Sequence, residues 1–370
     1  MNATRQLHDL GQSLWLDNIT RGLLDDGTLK HYIDDLAVTG LTSNPTIFQK
    51  AIQGTTFYDD AIARKTGQGK SGEALFFELA IEDLTRAADL FLPAHQASKG
   101  LDGWVSLEVS PLLANDAGAT IEAAKTLHAR AARPNLFIKI PGTPAGLKAI
   151  EESIFNGVPI NVTLLFSRAQ YLAAAQAYMR GVERRIKAGL EPDVRCVASL
   201  FVSRWDVAVQ NKVDAKLKDR LGIAIARDAY TAYRALLASP EWKKLADAGV
   251  RPQRLLWAST GTKDPKSSDT LYIQALTAAD TINTMPEKTL LAFADHGRPG
   301  EPLKGGDTSA QAVLADFAAA GVDQDALARR LQDEGTDAFD QSWRTLLECI
   351  ESKSAALKTA APTHSGASKS

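Results

Sequence analysis

LFIKIPGTPAGLKAIEESIFNGVPINVTLLF, residues 136–166, is the stretch that decides the fold. Residues 136–140 (LFIKI) and 159–166 (PINVTLLF) are short, apolar and bounded by turn formers, as buried strands are. Between them Thr143-Pro144 offers an N-cap followed by a proline at the first helical position, and Gly157 suits the far end. A strand–helix–strand order implies a parallel pair, because a crossover must carry the chain back before the second strand can run in the same direction.

The same alternation extends both ways. Further strand-like runs stand at 13–19 (SLWLDNI), 40–43 (GLTS), 104–109 (WVSLEV), 196–202 (CVASLFV), 255–259 (LLWAS) and 281–285 (TINTM), making eight. Helical segments separate them. Ser167 and Gln170 match a capping box ahead of a helix that stops at Gly189. Leu75, Leu79 and Leu84, with Phe76, Ala80 and Ala87, form an apolar stripe of helical period. Eight strands favour an α/β fold of the closed (β/α)8 TIM-barrel type over an open sheet. Such a barrel needs about 250 residues; the surplus predicts additional helices at 50–100 and 205–250 and a C-terminal helical segment. We therefore expect one domain over residues 1–351 and a disordered tail over 352–370, where the sequence turns small and polar.

Composition narrows the function classes. The 370-residue chain is 45% hydrophobic and 23% charged, with 42 Lys+Arg against 44 Asp+Glu and a net charge near −2. Phosphate-gripping nucleic-acid proteins carry a basic excess, so no nucleic-acid partner is expected. Neither a signal peptide nor a run of membrane-spanning length is present, and no membrane partner is expected. Two cysteines, Cys196 and Cys349, cannot build a disulfide framework. The expected location is cytoplasmic. KTGQGKSG at 65–72 fails as a phosphate loop because residue 64 is arginine. Six scattered histidines give no metal motif, and no dinucleotide fingerprint follows a strand, so neither metal nor cofactor is expected.

The informative anomaly is the polar content of the strands. Phe137 and Lys139 share one strand face; Trp15 and Asp17, Trp104, Ser106 and Glu108, Asn161 and Thr163, and Ser199 and Phe201 do likewise in theirs. A lysine among isoleucines either snorkels from a strand end to solvent or has a chemical task. Burial disfavours a charged amine, and the neutral amine is the form that attacks a carbonyl to make a Schiff base. Asn44 before Pro45 reads equally as a helix cap, and Asp17 as a cap of the following turn. Barrel enzymes gather their chemistry at the C-terminal ends of strands, where most of these residues fall.

At LTSNPTIF (41–48), VSLEV (105–109), FIKIPGT (137–143), INVTLLFS (160–167) and SLFVSR (199–204) the chain resembles the transaldolase family. The resemblance implies a Schiff-base aldolase barrel that moves a dihydroxyacetone unit from sedoheptulose 7-phosphate to glyceraldehyde 3-phosphate, without metal or organic cofactor. It implies Lys139 as the Schiff-base lysine and Asp17 as the base for the C4 hydroxyl. Glu108 would work with Thr163 and a bound water in imine formation. Asn44 and Asn161 would hold hydroxyls of the three-carbon unit, with Thr42 and Ser199 as further contacts. Arg204 would bind phosphate. The family's second phosphate arginine, two residues after Ser259, is here Gly261; Lys263 is the expected substitute. Family members that cleave fructose 6-phosphate without transfer carry Gln and Tyr at the positions of Glu108 and Phe201, which favours transfer here. A sugar-phosphate-binding barrel without catalysis and a nicotinamide-dependent barrel oxidoreductase are the remaining alternatives. Sugar phosphates are the expected partners, on a monomer or a homodimer; Trp205, Trp242 and Trp343 suit either a core or an interface.

Overall fold

The strand–helix–strand alternation continues around a full circle. In the computed structural model, which describes residues 2–360, eight parallel strands pair in chain order and close into a barrel. They are β1 (Gln12–Leu16), β2 (Val38–Leu41), β3 (Trp104–Glu108), β4 (Leu136–Pro141), β5 (Ile160–Leu165), β6 (Cys196–Phe201), β7 (Arg254–Ala258) and β8 (Thr281–Met285). β1 pairs with both β2 and β8, which removes the sheet edges. The fold is the expected (β/α)8 barrel.

Local signals explain where the helices begin. The Gly146 amide donates to Thr143 Oγ1 at 3.0 Å, which starts the helix Pro144–Phe155. Ser167 Oγ accepts from the Gln170 amide at 3.1 Å, while Gln170 Oε1 accepts from Phe166 at 2.7 Å. The box thus closes one residue before the cap. The extra helices follow β2 (Pro45–Gln53, Asp59–Gly67, Gly72–Ala97) and β6 (Ser203–Val209, Leu221–Ala238, Pro240–Asp247). The apolar stripe of Gly72–Ala97 is buried, as are Trp205, Trp242 and Trp343, which are core residues of this chain.

Inward side chains form layers. At the N-terminal end Arg254 donates to Ser13 Oγ at 2.7 Å and to Asp102 Oδ1 at 3.3 Å. Above it Trp104 stacks on Phe137 with centroids 4.0 Å apart. Next come Ser106, Asn161 and Ser199, all buried. These layers occupy the barrel between its two ends, and the site described below lies at the C-terminal one.

Most strand boundaries shift by a residue or two from expectation, and three differences matter for the site and the tail. β1 and β2 end before Asp17 and Thr42, whose amides still bond Met285 O and Leu16 O, each at 2.8 Å. These are the last bonds of the ladder on each strand, and both side chains line the cavity at the mouth. The helix Gln324–Ala360 continues past residue 352, where a disordered tail was expected. Its Ala, Leu and Lys residues are strong helix formers, and the buried Trp343, Leu346 and Ile350 anchor the preceding turns. The rest of that tail lies outside the described residues. Among those described, no helix is long and apolar enough to cross a membrane.

Candidate active site

Parallel register sets the centre of the site. Glu108 of β3 pairs with Lys139 of β4, and Lys139 with Asn161 of β5, so the three side chains stand in one row on the inner face. The Lys139 ammonium donates to Glu108 Oε2 at 3.1 Å and to the Ser43 carbonyl at 3.1 Å. Lysine and glutamate side chains are each only 6% exposed. Burial pushes the Glu108 carboxyl up, Lys139 pulls it down and Asp17 adds a further upward push. Burying such a pair costs desolvation that its attraction barely offsets, so it is a weak source of stability.

Asp17 lies where β1 ends. Thr42 Oγ1 donates to its Oδ1 at 2.8 Å and sits 2.8 Å from Thr284 Oγ1. Burial raises the Asp17 carboxyl above its ordinary range against the opposing effects of Lys139, Thr42 and Lys263. Ser199 Oγ donates to Asn161 Oδ1 at 2.7 Å, and Asn161 Nδ2 donates to Ser106 Oγ at 3.0 Å. The Thr163 hydroxyl is buried without a hydrogen-bond partner among the described residues. Asn44 satisfies both of its readings. Its Oδ1 accepts from the Ile47 amide at 3.0 Å, capping Pro45–Gln53, and it also faces the cavity.

That cavity has a volume of about 290 Å³ and opens at the C-terminal mouth. Every candidate catalytic or substrate-binding residue expected from the sequence lines it except Glu108 and Asn161, which adjoin it through Lys139 and Ser199. Arg204, on the helix that follows β6, places its guanidinium carbon 5.7 Å from the Phe201 ring centroid. Desolvation lowers its basicity, with a counter-effect from Glu334. Ser259 has a left-handed backbone (φ 55°), and its Oγ lies 2.9 Å from Ser203 Oγ. A Cβ at Gly261 would lie 3.1 Å from Pro286 Cγ, so the position resists a long side chain. Lys263 stands at the rim, its ammonium held below its ordinary range by desolvation and by Arg204.

Sequence reasoning missed Lys50, Thr284 and Phe339 among the lining residues. Lys50 rides on the helix that Asn44-Pro45 begins, the one signal that could have pointed to it. Among the described residues, none of Lys50, Arg204 and Lys263 has an ion-pair partner within 4.0 Å, so three cations face one end of the cavity without a carboxylate in contact. A buried amine with a carboxylate, a second carboxylate and an unpaired cationic end can bind a phosphorylated carbonyl compound and do proton-transfer work on it.

Comparison with known proteins agrees with this geometry. Residues 14–350 match the family model described as Transaldolase/Fructose-6-phosphate aldolase. The chain is 45% identical to a curated transaldolase of Thiobacillus denitrificans over 358 residues, covering 95% of this chain and 100% of the relative. It is 43% identical to a transaldolase of Neisseria gonorrhoeae, covering 94% and 99%, and 42% identical to one of an Arthrobacter species, covering 96% and 99%.

Proposed function

We infer the reaction from the family: the chain belongs to the transaldolase/fructose-6-phosphate aldolase family and is an enzyme of the transaldolase type, a transferase of aldehyde or ketone residues that acts on sugar phosphates. The donor is sedoheptulose 7-phosphate and the acceptor glyceraldehyde 3-phosphate, giving erythrose 4-phosphate and fructose 6-phosphate within the pentose phosphate pathway. The observation that carries this reading is the buried Lys139–Glu108 pair on the floor of a cavity with a cationic end.

Each step has a residue suited to it. Lys139 attacks the C2 carbonyl of the donor, and Glu108, 3.1 Å away, exchanges the protons needed to expel water from the carbinolamine. The Thr163 hydroxyl, which has no hydrogen-bond partner among the described residues, orients the water used in that exchange. Asp17 takes the C4 hydroxyl proton as the C3–C4 bond breaks. The bonding pair passes into the iminium, leaving an enamine on Lys139 and releasing erythrose 4-phosphate. Its raised affinity for protons suits a group that must both accept this proton and return it to the acceptor aldehyde. Asn44, Asn161 and Ser199 hold the hydroxyls of the three-carbon unit. Arg204, Lys263 and Lys50 receive the phosphate, with Ser259 beside them. Cys196 and Cys349 are free thiols, which suits the cytoplasmic location we assign.

Sedoheptulose 7-phosphate and glyceraldehyde 3-phosphate supplied together test the assignment. Equal yields of erythrose 4-phosphate and fructose 6-phosphate are expected. Free dihydroxyacetone in place of fructose 6-phosphate would instead mean cleavage without transfer.

A further inference from the structure

The helix Gln324–Ala360 crosses the mouth of the barrel, and Phe339 is the residue it contributes to the cavity wall. The ring is 7% exposed, and its centroid lies 5.6 Å from Lys139 Nζ, within cation–π reach. Glu108 and the Ser43 carbonyl already bond the same ammonium. Phe339 is therefore the apolar member of the amine's surroundings.

The helix is tied down on both sides of that ring. Before it, Gln332 Nε2 donates to Gly142 O at 3.1 Å and to Leu164 O at 2.9 Å. The second carbonyl is available because Leu164 adopts a left-handed backbone (φ 57°) at the irregularity in β5. Gly335 permits the close approach, since a Cβ there would lie 2.9 Å from Leu164 Cδ2. After the ring, Thr46 Oγ1 bonds Ser342 Oγ at 2.9 Å and Lys353 pairs with Asp59 at 2.8 Å. Phe339 is held in place over the lysine by these anchors.

We propose that Phe339 biases whether the reaction ends in transfer or in release of the three-carbon fragment, by shielding the enamine on Lys139 from protonation by solvent. The inference rests on the Schiff-base reading above. Between donor cleavage and acceptor arrival the fragment is an enamine on Lys139. If water reaches it, C3 takes a proton to regenerate the iminium, and water adds at C2. The carbinolamine then collapses to free Lys139 and dihydroxyacetone. The net change is adduct plus water to amine plus dihydroxyacetone; because water addition at C2 also frees fructose 6-phosphate, the step that the aromatic ring beside the adduct obstructs is solvent protonation of the enamine.

The test compares the parent protein with Phe339→Ala and Phe339→Leu. Dihydroxyacetone release from fructose 6-phosphate is measured without acceptor, and fructose 6-phosphate formation with both substrates. Borohydride trapping is run on all three proteins. The ratio of release to transfer should rise about tenfold or more in Phe339→Ala, with Phe339→Leu intermediate. If Phe339→Ala does not fold, Phe339→Leu must still exceed the parent. A trapped adduct in the variants with an unchanged ratio overturns this proposal alone. A parent protein that forms no adduct overturns the Schiff-base reading and this proposal with it.

Discussion

Glu108 and Lys139 are register partners on adjacent parallel strands, 3.1 Å apart and each 6% exposed. In the proposed mechanism the pair places a proton-exchanging carboxylate beside the amine that must gain and lose protons during imine formation. Glu108→Gln keeps the shape and removes the exchange. The expected result is a fall of about 10² in kcat with little change in KM, and rapid-quench analysis should put the loss in adduct formation.

Asp17 is raised above its ordinary range by burial. A carboxyl raised in the folded state contributes stability that is full below its unfolded value, about 3.9, and lost as pH rises through the folded value. At neutral pH its charge therefore opposes folding. Asp17→Asn, which still accepts from Thr42, should raise Tm by about 1–3 °C while turnover falls at least ~10³-fold. The acid limb of the parent's kcat profile should lie above the ordinary aspartate range, because protonated Asp17 cannot accept the C4 proton.

The cationic end should reveal itself through the phosphate alone. Lys263→Met and Lys50→Met are each expected to raise KM for glyceraldehyde 3-phosphate by about tenfold, and Arg204→Met by more. KM for unphosphorylated glyceraldehyde should not move. An unchanged KM for the phosphorylated acceptor in Lys263→Met would remove that lysine from the phosphate site.

Opposite the mouth, Arg254 and Asp102 form an ion pair of 3.3 Å with both side chains 8% exposed. Asp102→Ala leaves the guanidinium buried and unpaired, and should cost about 3 kcal/mol in urea unfolding. The Michaelis constants should be unaffected, because the aromatic layer of Trp104 and Phe137 separates this pair from the site.

The candidate site was legible where strands carry it. Glu108, Lys139, Asn161, Thr163 and Ser199 sit in β3 to β6, where alternation places polar residues on a face that should be apolar. Asp17 and Thr42 were found although β1 and β2 stop before them, because the strand ladder and the side-chain alternation fade at different residues. Lys50 and Phe339 stayed hidden. Each lies on a helix outside the barrel repeat, and neither sequence spacing nor period says which part of the mouth such a helix covers. The C-terminal helix was underestimated for a related reason: a small, polar composition resembles disorder until the helix it extends is anchored by Trp343, Leu346 and Ile350.

In the proposed mechanism Lys139 bonds covalently to the three-carbon fragment. Borohydride reduction with fructose 6-phosphate, followed by intact mass and peptide mapping, tests it most directly. One reduced dihydroxyacetone adduct is expected, located on Lys139 and absent from Lys139→Ala. A folded protein that forms no adduct with fructose 6-phosphate or sedoheptulose 7-phosphate, or carries it on another lysine, would contradict it.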